Sequence, residues 1–333
     1  RQVVERLAGA GCRDFFVSNW AEAEALMPWA AELDLSVLHG VGRDDLGTAL
    51  ASPARPVLNS VEQVARWRES GQGRSCDVMV DTGLNRLGLS PEEARSGLLD
   101  GLRVETLMSH LACADEPGHP MNERQLIAFR ALRQEIPATR YSLANSAGIC
   151  LGPEYAFGLT RPGLALYGGI PVPGDGGQER GIRPVVSIEA QVVQVRDVPP
   201  GGTVGYGATF TAPEAMKLAV LNIGYADGYL RQLAGRGFAR LGDRTLPILG
   251  RISMDVIAAM VPQAHELTLM HLDGRPTEKR GEAGMEVAEG DWLAMEFDLA
   301  GLAGAGGGLS QYELLTTLGR RYERVWASPP VEA

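Results

Sequence analysis

Apolar residues in the first half of the chain gather into short runs separated by longer amphipathic stretches. The runs FFVS (15–18), SVLHG (36–40), PVLNS (56–60), DVMVDTG (77–83), TLMSHL (106–111), YSLANS (141–146) and LTRPGLALYG (159–168) are short and almost continuously apolar. That is the pattern of strands buried on both faces of a parallel sheet. Between them WAEAEALMPWAAEL, VEQVARWRES and NERQLIAFRALRQEI read as helices, and SPEEA (90–94) as a helix start with acids in its first turn. The repeating unit is βα. Seven strands are counted, and the chain opens on the helix-like RQVVERLAGAG. A (β/α)8 barrel needs eight. The expectation is therefore an α/β fold, a (β/α)8 TIM-type barrel wanting its first strand, with an exposed sheet edge beside the first helix.

From about residue 184 the periodicity changes to alternation. VVSIEAQVVQV, TVGYGATF, KLAVLNIGY, GFARLGD, TLPILGRISMDVIAAMV and DWLAMEF alternate apolar and polar positions between Gly, Pro and Asp turns, as antiparallel strands do. With VPGDGGQERGIRP (172–184) as linker, the chain divides into a barrel domain, 1–183, and a mainly β domain, 184–333. SQYELLTTLGRRY (310–322) predicts one helix near the end, and AGLAGAGGGL (300–309) a flexible patch.

Composition narrows the class. The 333 residues are 45% hydrophobic and 22% charged, enough for about two folded cores. A balance of 31 Lys and Arg against 41 Asp and Glu, net -10, excludes a general electrostatic footprint for nucleic acid. No apolar run approaches the roughly 20 residues of a membrane helix, and no signal peptide opens the chain, so neither membrane nor export is expected and the cytoplasm is the default. Cys12, Cys76, Cys113 and Cys150 lack CxxC spacing, so no metal site or disulfide framework is predicted.

In a barrel, chemistry belongs on the loops after the strands, and there the chain places Asp81-Thr82-Gly83, Ser109-His110, Asn145-Ser146 and Arg161-Pro162-Gly163. Small residues such as Ser146, Ala147, Gly148 and Gly163 suit an anion held by backbone N–H groups and a hydroxyl. Taken singly, each also has a structural reading: His110 as a satisfied core histidine, Arg86 as a solvated loop charge.

Taken together, DTGLNRLG (81–88), MSHLACADE (108–116), LANSAG (143–148), RPGLALYGG (161–169), VGYGATF (204–210), GYADGYLR (224–231), GRISMD (250–255) and the QYELLTTLGRR region resemble the alanine racemase family over essentially the whole chain. The resemblance implies a pyridoxal 5'-phosphate (PLP) enzyme that interconverts L- and D-alanine, for cell-wall supply of D-alanine or for alanine catabolism. It implies a homodimer with composite active sites, in which Tyr225 is an acid/base inserted into the partner's barrel mouth. A phenol ordinarily titrates near 10, so it needs help at neutral pH; His110 resembles the family residue that gives it. Arg161 looks like the group that hydrogen-bonds the pyridine nitrogen and keeps it unprotonated. Ser146, Gly163 and Leu164 resemble the phosphate contacts, and Arg86 with the backbone N–H of Met254 the holders of the substrate carboxylate.

Three departures accompany the resemblance. The family's second base is the lysine that holds PLP, at the end of the first barrel strand. The chain's two lysines, Lys217 and Lys279, fit neither that position nor that context, so missing strand and missing lysine are expected to be one absence. Met79 stands where some members carry a carbamylated lysine that orients the substrate-binding arginine, leaving Asn85 as the nearest polar candidate for that task. Arg320 stands where some relatives have a phosphate-binding tyrosine. The competing classes are a lysine-less, non-catalytic homologue, a racemase of another small amino acid, a lone-barrel PLP carrier, and a fold-related decarboxylase. The β domain with its GYADG tyrosine argues against the carrier. Arg161 and the lack of any cysteine after Cys150 argue against the decarboxylase.

Overall fold

Six short strands lie side by side in chain order: β1 (Asp14–Val17), β2 (Asp34–Val37), β3 (Arg55–Leu58), β4 (Cys76–Met79), β5 (Val104–Met108) and β6 (Arg140–Ser142). Every neighbouring pair is parallel. The structure, a computed structural model, describes residues 1–29, 32–174, 180–262, 269–270, 276–277, 286–305 and 308–327. It separates into two units, Arg1–Leu166 with Pro171–Gly177, and Tyr167–Ile170 with Gln178–Ala333.

The helices of the first unit are α1 (Gln2–Gly9), α2 (Trp20–Ala25), α3 (Leu46–Ala51), α4 (Val61–Ser70), α5 (Pro91–Arg95), α6 (Pro120–Glu135) and α7 (Ser146–Leu151), of which α2 to α6 return the chain from strand to strand. Their starts follow the sequence chemistry: Asn19, Ser60 and Ser90 each accept a backbone N–H three residues on, and Ser90 with Glu93 completes a capping box. Strand alternation buries both faces of the sheet. Leu58, Val78 and Leu107 join the core shared with Val64 and Trp67 of α4 and Phe129 of α6, whereas Val57, Met79 and Met108 form a separate apolar cluster with Phe16 and Leu38. Asp77 is fully buried. Its carboxylate accepts the Ser36 hydroxyl at 2.5 Å and the Thr106 N–H at 2.9 Å, with Arg55 at 3.6 Å. Burial nevertheless holds its pKa above the ordinary value.

The seventh expected strand is not a strand. Of the run at 159–168 only Arg161 bridges, to Asn145, and Leu164–Tyr167 forms a 3-10 turn. The reason is Pro162, which lacks the ladder donor, followed by Gly163. Among the described residues the sheet is an open, six-stranded half-barrel, and β1 pairs only with β2.

The second unit is a closed antiparallel barrel. Its strands are β7 (Ile188–Val198), β8 (Met216–Leu221), β9 (Phe238–Leu241), β10 (Arg244–Leu249), β11 (Ile257–Val261) and β12 (Trp292–Met295), in the order β8-β11-β10-β9-β12-β7. Closure leaves no unpaired edge. Alternate residues such as Ile188, Ala190 and Val192 of β7 and Leu246 and Ile248 of β10 fill its core. A short hairpin, Thr203–Val204 against Phe210–Thr211, brings Val204 against Met216 and Leu218 of β8. Two expectations change. The 300–309 patch begins as helix α8 (Leu299–Ala305), with the Asp298 carboxylate accepting the Gly301 N–H at 3.0 Å. The last helix, α9 (Gln311–Thr316), ends six residues earlier than the pattern 310–322 predicts. Part of the linker, 175–179, and Lys279 lie outside the described residues.

Candidate active site

Parallel strands end on one edge, so the loops after β4, β5 and β6 converge there. After β4 the Asp81 carboxylate organises the loop: Oδ1 accepts the N–H groups of Gly83 (2.7 Å) and Leu84 (2.9 Å), and Oδ2 that of Arg86 (2.9 Å). The loop closes on the strand through Asp81 N–H to Leu89 O at 2.8 Å and Leu89 N–H to Met79 O at 2.9 Å. Burial alone would raise Asp81, but the amides of Gly83, Asn85, Arg86 and Leu84 outweigh it and hold the carboxylate below its ordinary range. The Arg86 side chain is exposed and has no hydrogen-bond or ion-pair partner among the described residues. Asn85, expected to orient it, is exposed, lies in the left-handed region (φ 56°) and makes no side-chain hydrogen bond among the described residues. The backbone at Arg86 is held by Asp81 instead. Met79 is buried among apolar neighbours, so that position offers no orienting group.

After β5, Ser109 is buried and its hydroxyl meets Thr82 Oγ1 at 2.7 Å. His110 follows. Burial first, then the charges of Arg161 and Arg86, push its imidazole down to about 4, so it is neutral at physiological pH. Arg161, at the end of the 159–161 segment, donates through Nη1 to the Ser142 hydroxyl and through Nη2 to the Ser109 carbonyl, while its own N–H reaches Ala144 O at 2.9 Å. The Ser142 hydroxyl in turn donates to Leu159 O at 2.6 Å. Desolvation lowers the guanidinium pKa to about 10, which leaves it charged at neutral pH. At the start of α7 the Asn145 side chain accepts the Gly148 N–H at 2.8 Å. Ser146 is buried, and its hydroxyl gathers the N–H groups of Gly163 (2.9 Å) and Ala165 (3.3 Å), which bends the chain through Leu164 around it.

The second unit carries the other two expected residues next to each other. Tyr225 opens a 3-10 turn after β8, and its N–H donates to Ser253 O at 3.0 Å, while Ala226 N–H donates to Met254 O at 3.0 Å. Tyr225 is 37% and Met254 53% exposed, whereas Tyr229, four residues on, is fully buried. Arg231 lies over the Tyr225 ring at 5.7 Å. The turn is braced from beneath by buried Asp227, which accepts the Gly224 N–H at 2.9 Å and pairs with Arg321 at 2.9 Å; Arg321 also reaches Asp255 at 2.7 Å. Asp81, Asp227 and Arg321 are missing from the expected site list. All three stand inside quoted motifs, DTGLNRLG, GYADGYLR and QYELLTTLGRR, and an Asp one or two residues before a turn glycine signals an amide-capping role.

A half-barrel whose strand ends present a half-buried arginine and an amide-lined turn, in a chain that also carries a β barrel bearing an exposed tyrosine, defines a class of two-domain enzymes, and comparison narrows it. Residues 1–171 match the family model for the alanine racemase N-terminal domain and residues 185–326 that for its C-terminal domain. The chain belongs to the alanine racemase family. It is 41% identical over 337 residues to the catabolic alanine racemase of Agrobacterium fabrum, covering 98% of this chain and 82% of that protein. To the alanine racemase of Methylobacterium nodulans it is 40% identical, with 97% and 84% covered. Among solved structures, that of the Bartonella henselae alanine racemase with covalently bound pyridoxal phosphate superposes with a TM-score of 0.80 at 32% identity, over 96% of this chain and 87% of that one. The biosynthetic alanine racemase of Pseudomonas aeruginosa gives 0.82 at 29%, over 98% and 88%.

The family is PLP-dependent, and the donor set fits that group in part. A buried hydroxyl at Ser146 with backbone amides turned around it is the chemistry a phosphate takes, and no carboxylate hydrogen-bonds to Ser146, Gly163, Ala165 or Arg161 among the described residues. Lys217 sits on β8 in the second unit, 3.1 Å from Asp197.

Proposed function

We propose that this chain interconverts L- and D-alanine with PLP as cofactor. The observation that carries the reading is Arg161: a charged guanidinium locked by Ser142 and Ser109, so that the strand ends offer a permanent donor rather than a carboxylic acid. Ser146, Gly163 and Leu164 would hold the phosphate, and Arg161 the pyridine nitrogen. When bound, PLP draws electrons from the substrate Cα and so makes its proton removable. Arg161 remains protonated and hands nothing over, which limits that withdrawal and favours return of the proton over transamination.

Arg86 and the Met254 N–H, for which no backbone acceptor is found among the described residues, take the substrate carboxylate. The Tyr225 phenol moves the proton on one face of Cα, and the neutral His110 imidazole, with one donor and one acceptor, hydrogen-bonds the phenol oxygen without adding a charge beside Arg161. The opposite face belongs to the lysine with which the family holds its cofactor. We place Tyr225 and Met254 of one copy at the strand ends of a second, as a two-fold homodimer. The cytoplasm is the proposed compartment, supported by four free cysteines.

The test is chiral chromatography of L-alanine, and separately D-alanine, incubated with the PLP-loaded protein, with serine alongside. Cofactor binding without interconversion of alanine would overturn the proposal. For the composite site, mixing Tyr225→Phe chains with Arg161→Glu chains should restore up to one working site per heterodimer. No recovery despite demonstrated subunit exchange would mean that each site uses one chain.

A further inference from the structure

Helix α6 presents Leu126, Phe129 and Leu132 to the core, and in their midst stands Gln125, fully buried. A buried amide is costly unless its hydrogen bonds are met. Here three are. Oε1 accepts the Ala112 N–H at 2.9 Å, while Nε2 donates to the His110 carbonyl at 2.9 Å and to Thr82 Oγ1 at 3.1 Å. An amide N–H can only donate and a carbonyl can only accept, so these partners fix which end of the amide faces which loop.

The three bonds reach two different loops. Thr82 belongs to the loop that Asp81 caps and that carries Arg86, and His110 and Ala112 belong to the loop after β5. Thr82 Oγ1 continues at 2.7 Å to Ser109 Oγ, and the Ser109 carbonyl accepts from Arg161. Gly83 packs directly on the same helix: a Cβ there would lie 3.2 Å from Met121 Sδ and 3.7 Å from Gln125 Cγ, at a φ of +143° that L side chains rarely adopt.

We propose that Gln125 is a positioning residue that sets the Arg86 loop and the His110 loop against each other and, through Ser109, against Arg161. It touches none of the reacting groups. The proposal rests on reading those loops as the substrate and cofactor side of the racemase site.

Gln125→Met keeps the length and fills the same space but removes all three bonds; Thr82→Val removes only the branch to Thr82 and Ser109. With the PLP-loaded enzyme, Gln125→Met should lose about 10²-fold in kcat/KM, the order expected for roughly 1 Å of misplacement. Thr82→Val should lose less. The second readout is amide hydrogen exchange, which should quicken in peptides spanning 81–89 and 109–113 while those of β1 to β3 stay unchanged. Unchanged exchange in both loops, or quickened loops with wild-type kcat/KM, would overturn the proposal. So would exchange that quickens throughout the first unit, which would make Gln125 a general packing residue. If Gln125→Met fails to fold, Thr82→Val carries the same exchange test. An Arg86→Lys control that proves silent removes the substrate reading alone, because loop exchange judges Gln125 independently.

Discussion

Gly224→Ala adds one methyl group at the point where two residues of the proposed site meet. Gly224 has φ -158°, ordinary extended backbone, so alanine meets no torsional objection there. Such a change would by itself stabilise the protein by about 0.4–1 kcal/mol through the unfolded chain. Space decides otherwise. The new Cβ would stand 2.3 Å from the Met254 carbonyl oxygen and 2.5 Å from that of Ser253, where real Cβ atoms keep at least 3.0 Å. Both neighbours are backbone and cannot rotate away. The same two carbonyls accept the Tyr225 and Ala226 N–H groups at 3.0 Å, so opening the contact stretches both bonds beyond useful length. Each is worth about 1 kcal/mol net, more if its groups are left buried and unpaired, and overpacking of this kind costs about 1–3 kcal/mol. Tyr225 and Met254 would separate by an appreciable fraction of an ångström, for which a loss on the order of 10²-fold in kcat/KM is expected. Initial racemisation rates in both directions, with thermal melting of the same preparation, measure the two effects. A Gly224→Ala enzyme with wild-type kcat/KM and an unchanged or raised Tm would refute the reasoning.

Tyr225→Phe should lower kcat by about 10²–10⁴-fold in both directions while cofactor absorbance is retained; near-normal rates would remove Tyr225 from the chemistry. Arg86→Lys should raise KM for alanine although the charge remains, because the planar fork is lost, and unchanged kinetics would refute carboxylate binding there. Arg161→Glu should slow racemisation and increase transamination, measured as pyruvate formed, and wild-type partitioning would count against the assignment. His110 titrates near 4 in the folded protein against 6.5 ordinarily. Below 6.5 the unfolded chain therefore takes up a proton that the folded one resists, and stability falls as pH drops from 6.5 toward 4. Tm measured across that window should fall less steeply in His110→Gln, and parallel curves would show that His110 is not the group responsible.

Periodicity made the architecture legible because two physical patterns could not be confused: continuous apolar runs in a parallel sheet and alternation in an antiparallel one. It failed where local chemistry overrode pattern. The run at 159–168 is as apolar as its predecessors, yet Pro162 withholds a donor and the Ser146 hydroxyl collects the Gly163 and Ala165 amides, turning a would-be strand into a bend. The glycines of 300–309 conceal a helix that Asp298 starts. Residues quoted for chemistry were nearly all in named motifs, and so were Asp81, Asp227 and Arg321, but which side chain holds which was not legible. Gln125 lies mid-helix, thirteen residues beyond the Ala112 amide it accepts, and Arg321 reaches Asp255 across sixty-six positions. Spacing along a chain carries no trace of such pairs.

The two tyrosines of GYADGYLR show how far motif and environment diverge within eight residues. Both phenols follow the same strand. Tyr229 is sealed in the barrel core, where burial first and Glu296 second raise its pKa above the ordinary value, and its hydroxyl has no hydrogen-bond partner among the described residues. A phenol so placed resists ionisation and cannot meet a ligand. Tyr225 stands where the strand has stopped, on a turn tied to Ser253, Met254 and, through Asp227, to Arg321. Those ties come from two distant stretches of chain, so the turn's position is set by tertiary structure and not by its own sequence. An acid/base needs an exposed ring on an immobile backbone. Of the two tyrosines only Tyr225 has both, so the motif is sensitive at the Gly224 contact as well as at the phenol itself.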